Sequence, residues 1–137
     1  MASRARKAKL AKRLADDGPF PGRPLVWIGG SKDDISAMPP PVKASFGYRL
    51  RRIQQGLSAT DTKALPQFGS GVYELREAHD KNAYRVMYVV ALEKAVYVLH
   101  AFVKKSKSGI GLPKSDVELI RARLKRAQAA DAEDDDV

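Results

Sequence analysis

Four basic side chains lie at the predicted ends of three consecutive strands, and their types suit phosphate chemistry. Arg76 closes one strand, Arg85 lies early in the next, and Lys104 and Lys105 close the third. Antiparallel pairing brings the end of each strand beside the start of its neighbour, so we expect these side chains to converge. Guanidinium groups bind phosphate oxygens through planar, charge-assisted hydrogen bonds. The pattern therefore predicts a phosphate-binding site.

RNA is the substrate that such a site suits best, because its own 2′-hydroxyl can serve as the nucleophile. Cleavage then needs an aligned phosphate, charge stabilisation in the transition state and proton transfer, so a metal is dispensable. Arg76 and Arg85 would hold the phosphate, while Lys104 or Lys105 would stabilise developing charge or move a proton. The alternative is a solvated strand end that only keeps the sheet edge soluble.

His100 is the first candidate for proton transfer, because imidazole commonly acts as an acid or base near neutral pH. It lies inside a long apolar strand, however, where a structural histidine with satisfied nitrogens is the favoured interpretation. His79 lies in a predicted loop and is expected to be solvated. We expect most tyrosines at alternating strand positions to belong to the core rather than to stack on bases.

Common catalytic motifs are missing from the sequence. It has neither a Gly-rich loop ending in Gly-Lys-Ser/Thr nor a Gly-x-Ser-x-Gly segment, which disfavours P-loop nucleotidases and serine hydrolases. With two histidines and no cysteine, a zinc site would need mainly carboxylates, and no ligand spacing indicates one. Metal catalysis is therefore disfavoured.

The composition is that of one globular domain. The chain has 137 residues, of which 44% are hydrophobic and 30% are charged. The absence of cysteine fits a reducing compartment, and we expect a cytoplasmic protein. The longest apolar runs fall well short of the roughly 20 residues that a membrane span needs, and the basic N-terminus lacks the apolar region of a secretory signal. We therefore expect no membrane association.

Charge divides the chain into three regions. Residues 1–24 form a basic stretch that we predict to be a flexible arm, and residues 131–137 form an acidic stretch that we predict to be a disordered tail. Between them, residues 25–130 hold 18 basic and nine acidic side chains, so the predicted folded domain carries the whole net charge of +9. Nucleic acid is the first candidate partner for such a body, although a merely soluble basic protein would look similar.

Apolar periodicity and turn residues predict the order strand, helix, helix, three antiparallel strands, helix. Ser31 and Ser115 are the predicted N-caps of the first and last helices. We infer an α+β fold of two layers, in which a mainly antiparallel four-strand sheet carries two N-terminal helices and a C-terminal helix on one face. The other face would be at least partly open. The predicted strands cover residues 25–28, 72–76, 84–90 and 95–103, and the helices cover residues 31–38, 42–56 and 115–127.

The second predicted helix is amphipathic, with basic residues outside its apolar stripe. Arg49 and Arg52 lie there, and Lys107 follows the last strand. We expect these three side chains to contact RNA phosphates, which would extend the predicted site beyond the strand ends.

A series of short motifs between about residues 25 and 127 resembles the phage-derived branch of the RelE/HigB toxin superfamily. Each motif is weak alone, but their order and spacing are specific. The fold of that superfamily agrees with the architecture inferred above. The motifs are Trp27-Ile28-Gly29, Ser31 to Asp34, Met38-Pro39, Phe46-Gly47-Tyr48-Arg49-Leu50, Gly71-Val72-Tyr73-Glu74-Leu75-Arg76, Tyr84-Arg85-Val86-Met87-Tyr88, His100-Ala101-Phe102-Val103-Lys104-Lys105-Ser106 and Pro113-Lys114.

The resemblance implies the toxin of a type II toxin–antitoxin pair, which degrades mRNA in association with the ribosome, uses no cofactor and is neutralised by a helix-turn-helix antitoxin. By position it assigns phosphate binding and catalysis to Arg76, Arg85, Lys104 and Lys105. The best-known RelE enzymes carry lysines in the second strand, where this chain has Val72 and Glu74, and a tyrosine soon after the basic pair is absent. Glu74 thereby becomes a candidate base.

Two other functions compete with an endoribonuclease. The same superfamily includes toxins that inhibit DNA gyrase by binding, and a regulatory nucleic-acid-binding module without toxicity would also carry a basic surface. Converging phosphate ligands favour RNA cleavage, because a gyrase inhibitor has no need of them.

Overall fold

The structure is a computed structural model that describes residues 22–90, 92–105 and 112–133, with the backbone alone at Lys104 and Lys105. The described part contains three α-helices, five strands and one 3₁₀ helix. This composition confirms the predicted α+β class and the order of its helices. The helices are α1 (Ser31–Ser36), α2 (Pro40–Gln54) and α3 (Lys114–Ala132), and the strands are β1 (Leu25–Trp27), β2 (Thr62–Ala64), β3 (Val72–His79), β4 (Asn82–Val89) and β5 (Val96–Lys105).

The five strands form one sheet in the order β1-β5-β4-β3-β2. The β3, β4 and β5 strands form the predicted antiparallel meander, and β1 pairs with β5 in parallel. The predicted count of four strands was wrong, because β2 pairs with β3 over three residues at the edge of the sheet. All three β2 residues are exposed, so the sequence there has no apolar alternation to reveal a strand.

Helices cover both faces of the sheet, which corrects the predicted two-layer arrangement. In β4, Val86 and Tyr88 pack with α1 and α2, whereas Met87 and Val89 pack with α3. Alternate side chains of a strand point to opposite faces, so the two clusters lie on opposite sides of the sheet. We call these sides the α1/α2 face and the α3 face. None of the described helices is long and apolar enough to cross a membrane.

A bulge in β5 changes which side chains share a face. Met87 pairs with His100 but the next residue, Tyr88, pairs with Val98, so Leu99 is an extra residue in β5. Such an insertion interrupts the strict alternation of a strand. As a result, His100 and Phe102 of β5 lie on the α3 face, as does Met87 of the neighbouring strand β4.

The two serines predicted as N-caps lie inside the helices. Gly30 precedes α1 and Pro113 precedes α3, and neither helix has a side-chain cap at its N-terminus. Ser31 is buried instead, and its hydroxyl donates to the carbonyl of Val98 at 3.2 Å. It therefore ties α1 to β5 rather than capping the helix.

Two residues that were assigned to the charged end regions contact the folded domain. Arg23, assigned to the flexible arm, donates from its guanidinium to the carbonyls of Val90 and Leu92. Asp131, assigned to the disordered tail, belongs to α3 and accepts hydrogen bonds from the amides of Glu93 and Lys94. Burial raises the pKa of Asp131, but its hydrogen bonds lower the pKa by more than burial raises it. The net pKa of Asp131 is therefore below its usual value. Residues 1–21 and 134–137 lie outside the described residues.

Candidate functional site

The structure brings Arg76 and Arg85 together on the α3 face. They are direct cross-strand partners in the pairing of β3 with β4. Arg85 is two residues from Met87, which packs against α3, so both arginines lie on that side of the sheet. The convergence that connectivity predicted is confirmed for this pair.

A single carboxylate lies between the two guanidinium groups. The Nε atom of Arg76 is 3.3 Å from one oxygen of Glu74, and a terminal nitrogen of Arg85 is 3.4 Å from the other. The side chain of Glu74 is 3% exposed, whereas those of Arg76 and Arg85 are 48% and 13% exposed. Like charges would otherwise repel at this cross-strand position. Glu74 therefore holds two cations side by side.

This arrangement leaves hydrogen-bond donors for an anion. The guanidinium of Arg76 is half exposed and offers donors to the solvent, whereas the Nε atom of Arg85 is buried, has no partner among the described residues and is not exposed to an anion at the surface. Arginine donors in a partly buried position bind phosphate oxygens more strongly than they would in bulk water. The pair is thus suited to an anionic group at the sheet surface.

The predicted lysines are described only in part. In the β4–β5 register, Lys104 pairs with Ala83 and Lys105 with Asn82, which places their backbone two and three residues along β4 from Arg85. Their side chains, and all of Lys107, lie outside the described residues. The register is consistent with the predicted neighbourhood, and the roles of these lysines stay predictions.

Only one ring nitrogen of His100 has a partner among the described residues, so the prediction of a structural histidine with satisfied nitrogens is met in part. Its Nε2 atom is 3.1 Å from a carboxylate oxygen of Asp116 in the first turn of α3, and its ring stacks on Phe102 with centroids 4.9 Å apart. His100 is 8% exposed, and its Nδ1 atom has no partner within the described part of the chain. The pair joins α3 to β5 beside the arginines, and proton transfer by His100 stays a prediction.

Arg49 does not lie on the surface, which corrects its predicted role in RNA binding. It is 4% exposed on the α1/α2 face, and its guanidinium donates to the carbonyls of Thr60 and Arg76 and to Glu77. A guanidinium with three internal acceptors is not available to a phosphate. Arg52 is half-buried on the same helix and donates to the carbonyl of Ser58 at 2.8 Å, and its role in RNA binding stays a prediction.

Sequence reasoning missed the partners that hold the site together. Asp116 was not singled out, because a helix residue 16 positions from His100 gives no sequence signal of contact. Glu77 and Ser45 were missed for the same reason, although their hydrogen bond at 2.6 Å joins α2 to β3. The alternation of Glu74 with Arg76 did carry a signal, since residues two apart in a strand share a face.

The described residues contain no group of three or more His, Asp or Glu side chains arranged to hold a metal ion. The donors that the site offers are guanidinium groups, and its one buried carboxylate is already paired with both of them. The chemistry available on the α3 face is therefore the binding of an anion and the stabilisation of negative charge.

Comparison with known protein families identifies one family that matches the chain. The sequence matches the family described as phage-derived protein Gp49-like (DUF891) over residues 33–125, which include both arginines and about two thirds of the chain. A search among curated proteins finds no match. Since the matched segment runs from α1 into α3, the chain belongs to the phage-derived Gp49-like family, a RelE/HigB-like toxin family of toxin–antitoxin systems.

Proposed function

We propose that this protein is the toxin of a type II toxin–antitoxin pair and that it cleaves mRNA as an endoribonuclease. The observation that carries the proposal is the pairing of Arg76 with Arg85 around the buried Glu74. Membership of the Gp49-like family supports the role of toxin. The net charge of +9 further supports a polyanionic substrate.

In the proposed reaction, the 2′-oxygen of a ribose attacks the adjacent phosphorus, and the bond from phosphorus to the 5′-oxygen breaks. The products are a 2′,3′-cyclic phosphate and a 5′-hydroxyl, so no water or metal enters the step. Arg76 and Arg85 bind the non-bridging oxygens and stabilise the charge that grows on them in the transition state. In its neutral form, Lys104 or Lys105 takes the proton of the 2′-hydroxyl, and the ammonium group so formed returns that proton to the leaving 5′-oxygen.

The site leaves three candidates for proton transfer, which differ in what they must give up. Glu74 would have to leave one of its two arginines in order to act as a base. His100 would have to exchange its contact with Asp116 for one with the substrate. By position, Lys104 and Lys105 match the basic pair to which the resemblance assigns catalysis, and their backbone pairs with β4 beside Arg85, so the proposal assigns proton transfer to one of these lysines.

The proposal implies two kinds of partner. Toxins of toxin–antitoxin systems are paired with a cognate antitoxin, and we propose a helix-turn-helix protein in that role. The substrate is mRNA, with cleavage in association with the ribosome in the cytoplasm. An open reading frame for a short helix-turn-helix protein next to the gene would support this assignment.

The test is the toxicity of the Arg85→Gln variant. We expect induction of the wild type to stop growth and to fragment mRNA, and we expect Arg85→Gln to lower the cleavage rate by roughly 100-fold or more, because one ligand of the transition-state charge is lost. The matched control is Lys125→Gln, which removes an exposed charge from α3 away from the site. RNA fragments from induced cells, mapped at their 5′ ends, provide the measurement.

One outcome would contradict an endoribonuclease and favour another function of the same superfamily. If the wild type stops growth while mRNA stays intact, and Arg85→Gln is equally toxic, a toxin that inhibits DNA gyrase by binding explains the result better. Harmless overexpression combined with salt-sensitive affinity for RNA or DNA would instead favour a regulatory binding module.

A further inference from the structure

The pairing of β3 with the edge strand β2 stops just before Arg76, which the proposed mechanism uses. The β2 strand pairs with β3, with Ala64 opposite Tyr73 and Thr62 opposite Leu75. Thr62 is the first residue of β2, so Arg76 has no partner in that strand. The preceding residue, Asp61, has a positive φ of 53°, where the chain turns away. One further hydrogen bond, from the amide of Arg76 to the carbonyl of Asp61 at 3.3 Å, extends the pairing.

Arg49 takes the place of the missing strand at this point. One terminal nitrogen of its guanidinium donates to the carbonyl of Arg76 at 2.8 Å and to the carbonyl of Thr60 at 3.1 Å. The side chain thus bridges the edge of β3 to the loop that precedes β2. A carbonyl that would have no strand partner at this edge is satisfied by a charged donor instead.

Further contacts fix the guanidinium of Arg49. Its other terminal nitrogen donates to a carboxylate oxygen of Glu77 at 2.8 Å, and the hydroxyl of Ser45 donates to the same oxygen at 2.6 Å. The guanidinium carbon lies 5.1 Å from the ring centre of Phe46. Charge-assisted hydrogen bonds in a buried setting are strong and geometrically strict, so this group has little freedom to move.

From these contacts we propose that Arg49 is a positioning residue for Arg76. It acts from the α1/α2 face through the backbone of β3, whereas Glu74 orients the side chain of Arg76 on the α3 face. The inference rests on the proposed function, since it matters for catalysis only if Arg76 binds the scissile phosphate. Misplacement of a phosphate ligand by about 1 Å can cost roughly 100-fold in rate.

The experiment compares Arg49→Gln and Arg49→Lys with the wild type and with Arg76→Gln. We expect Arg49→Gln to lower kcat by about 10- to 100-fold, with a smaller change in KM, because the phosphate ligands remain but are misplaced. Arg49→Lys should recover part of kcat, since one ammonium group can reach the Arg76 carbonyl but cannot bridge all three acceptors. Lys43→Gln, which removes an exposed charge from the same helix, should behave as the wild type.

Salt dependence separates positioning from direct contact with RNA. The slope of log affinity against log salt is negative, and removal of one residue that binds a phosphate of a single strand decreases its magnitude by about 0.7. We expect this decrease for Arg76→Gln and no decrease for Arg49→Gln, measured with a 2′-O-methyl RNA that cannot be cleaved. A reduced slope in Arg49→Gln would overturn the inference, because it would make Arg49 a phosphate ligand.

Hydrogen exchange tests the inference without any catalytic readout. In Arg49→Lys, the amide of Arg76 should exchange at least tenfold faster than in the wild type, while the amide of the buried Val86 stays protected if the fold is intact. Unchanged exchange at Arg76 overturns the inference. Wild-type cleavage that is lost in Arg76→Gln and retained in Arg49→Gln also overturns it, and leaves the proposed function standing. Absence of cleavage by the wild type contradicts the proposed function alone.

Discussion

At the scale of single residues, Glu74 explains how two arginines can lie opposite each other on adjacent strands. Its carboxylate is almost fully buried and contacts a guanidinium with each oxygen. Removing one partner from a buried ion pair costs more than the pair contributes, because the remaining charge is left without compensation. Stability and phosphate binding at this position therefore depend on the same three side chains.

Substitution of Glu74 tests this dependence directly. We expect Glu74→Gln to lower the free energy of unfolding by about 3 kcal/mol, because Arg85 is left partly buried without its anion. The double variant Glu74→Gln/Arg85→Gln should lose less than the sum of the single losses. Urea denaturation of the four proteins measures the coupling, with the exposed Glu118→Gln as the control. Additive losses would show that Glu74 and Arg85 do not interact.

Tyr88 predicts a loss of stability at high pH. Burial on the α1/α2 face raises the pKa of Tyr88 to about 12 from its usual 10, although a hydrogen bond with Thr62 lowers it in part. Above pH 10 the unfolded chain loses the phenolic proton while the folded protein keeps it. The free energy of unfolding should therefore fall between pH 10 and pH 12, by about 2–3 kcal/mol in all.

The Tyr88→Phe variant isolates this contribution, because phenylalanine has no proton to lose. From pH 9 to pH 12, the wild type should lose about 2–3 kcal/mol more unfolding free energy than Tyr88→Phe does. Chemical denaturation at half-unit intervals of pH measures it. Parallel losses in the two proteins would assign the alkaline effect to other groups.

At the scale of elements, the β3–β4 hairpin sets the register that pairs Arg76 with Arg85. Its two turn residues, Asp80 and Lys81, have φ values of 54° and 67°. Both angles are those of a tight hairpin turn whose twist matches that of the strands, a turn that usually contains glycine. Lysine in this region is strained, because its Cβ crowds the backbone.

Relief of this strain should stabilise the hairpin. We expect Lys81→Gly to raise the free energy of unfolding by about 1 kcal/mol and the melting temperature by about 4 °C. Lys81→Val should lower both, because a β-branched residue fits a positive φ worse than lysine does. Thermal unfolding followed by circular dichroism measures both variants. A loss of stability in Lys81→Gly would mean that the lysine side chain contributes more than its backbone strain costs.

At the scale of the whole molecule, different helices pack on the two faces of the sheet. The α1 and α2 helices build one core, and α2 fixes the edge of β3 through Arg49. The α3 helix covers the other face over Met87, Val89 and Leu99, and its first turn contacts His100 beside the arginines. The proposed RNA site thus lies on the α3 face at the hairpin end of the sheet, where Arg76 is half exposed.

The basic charge of the molecule predicts how RNA binding responds to salt. If Arg76, Arg85 and the two predicted lysines each contact a phosphate, the slope of log affinity against log salt should lie between about −2 and −3 for single-stranded RNA. Titration of a 2′-O-methyl RNA between 50 and 300 mM salt, about the range over which such slopes are linear, measures it. Lys125→Gln should leave the slope unchanged. A slope near zero would mean that the charge of the body does not contact RNA.

The sequence alone determined the elements with strong local signals. Long apolar strands and the stripe of α2 were readable because their periodicity follows directly from the geometry of strands and helices. The meander followed from short connections, and the convergence of Arg76 with Arg85 followed from the meander. The motifs from Trp27 to Lys114 also indicated the toxin family, to which the chain belongs.

Only the tertiary structure decided features that depend on contacts between distant segments. The exposed β2 strand exists because β3 offers it an edge, and Arg49 is buried because that edge ends at Arg76. The bulge at Leu99 and the position of α3 on the opposite face decide what lies beside the arginines. None of these has a local signature, because register, face and burial are settled by packing between elements rather than by the propensities within one.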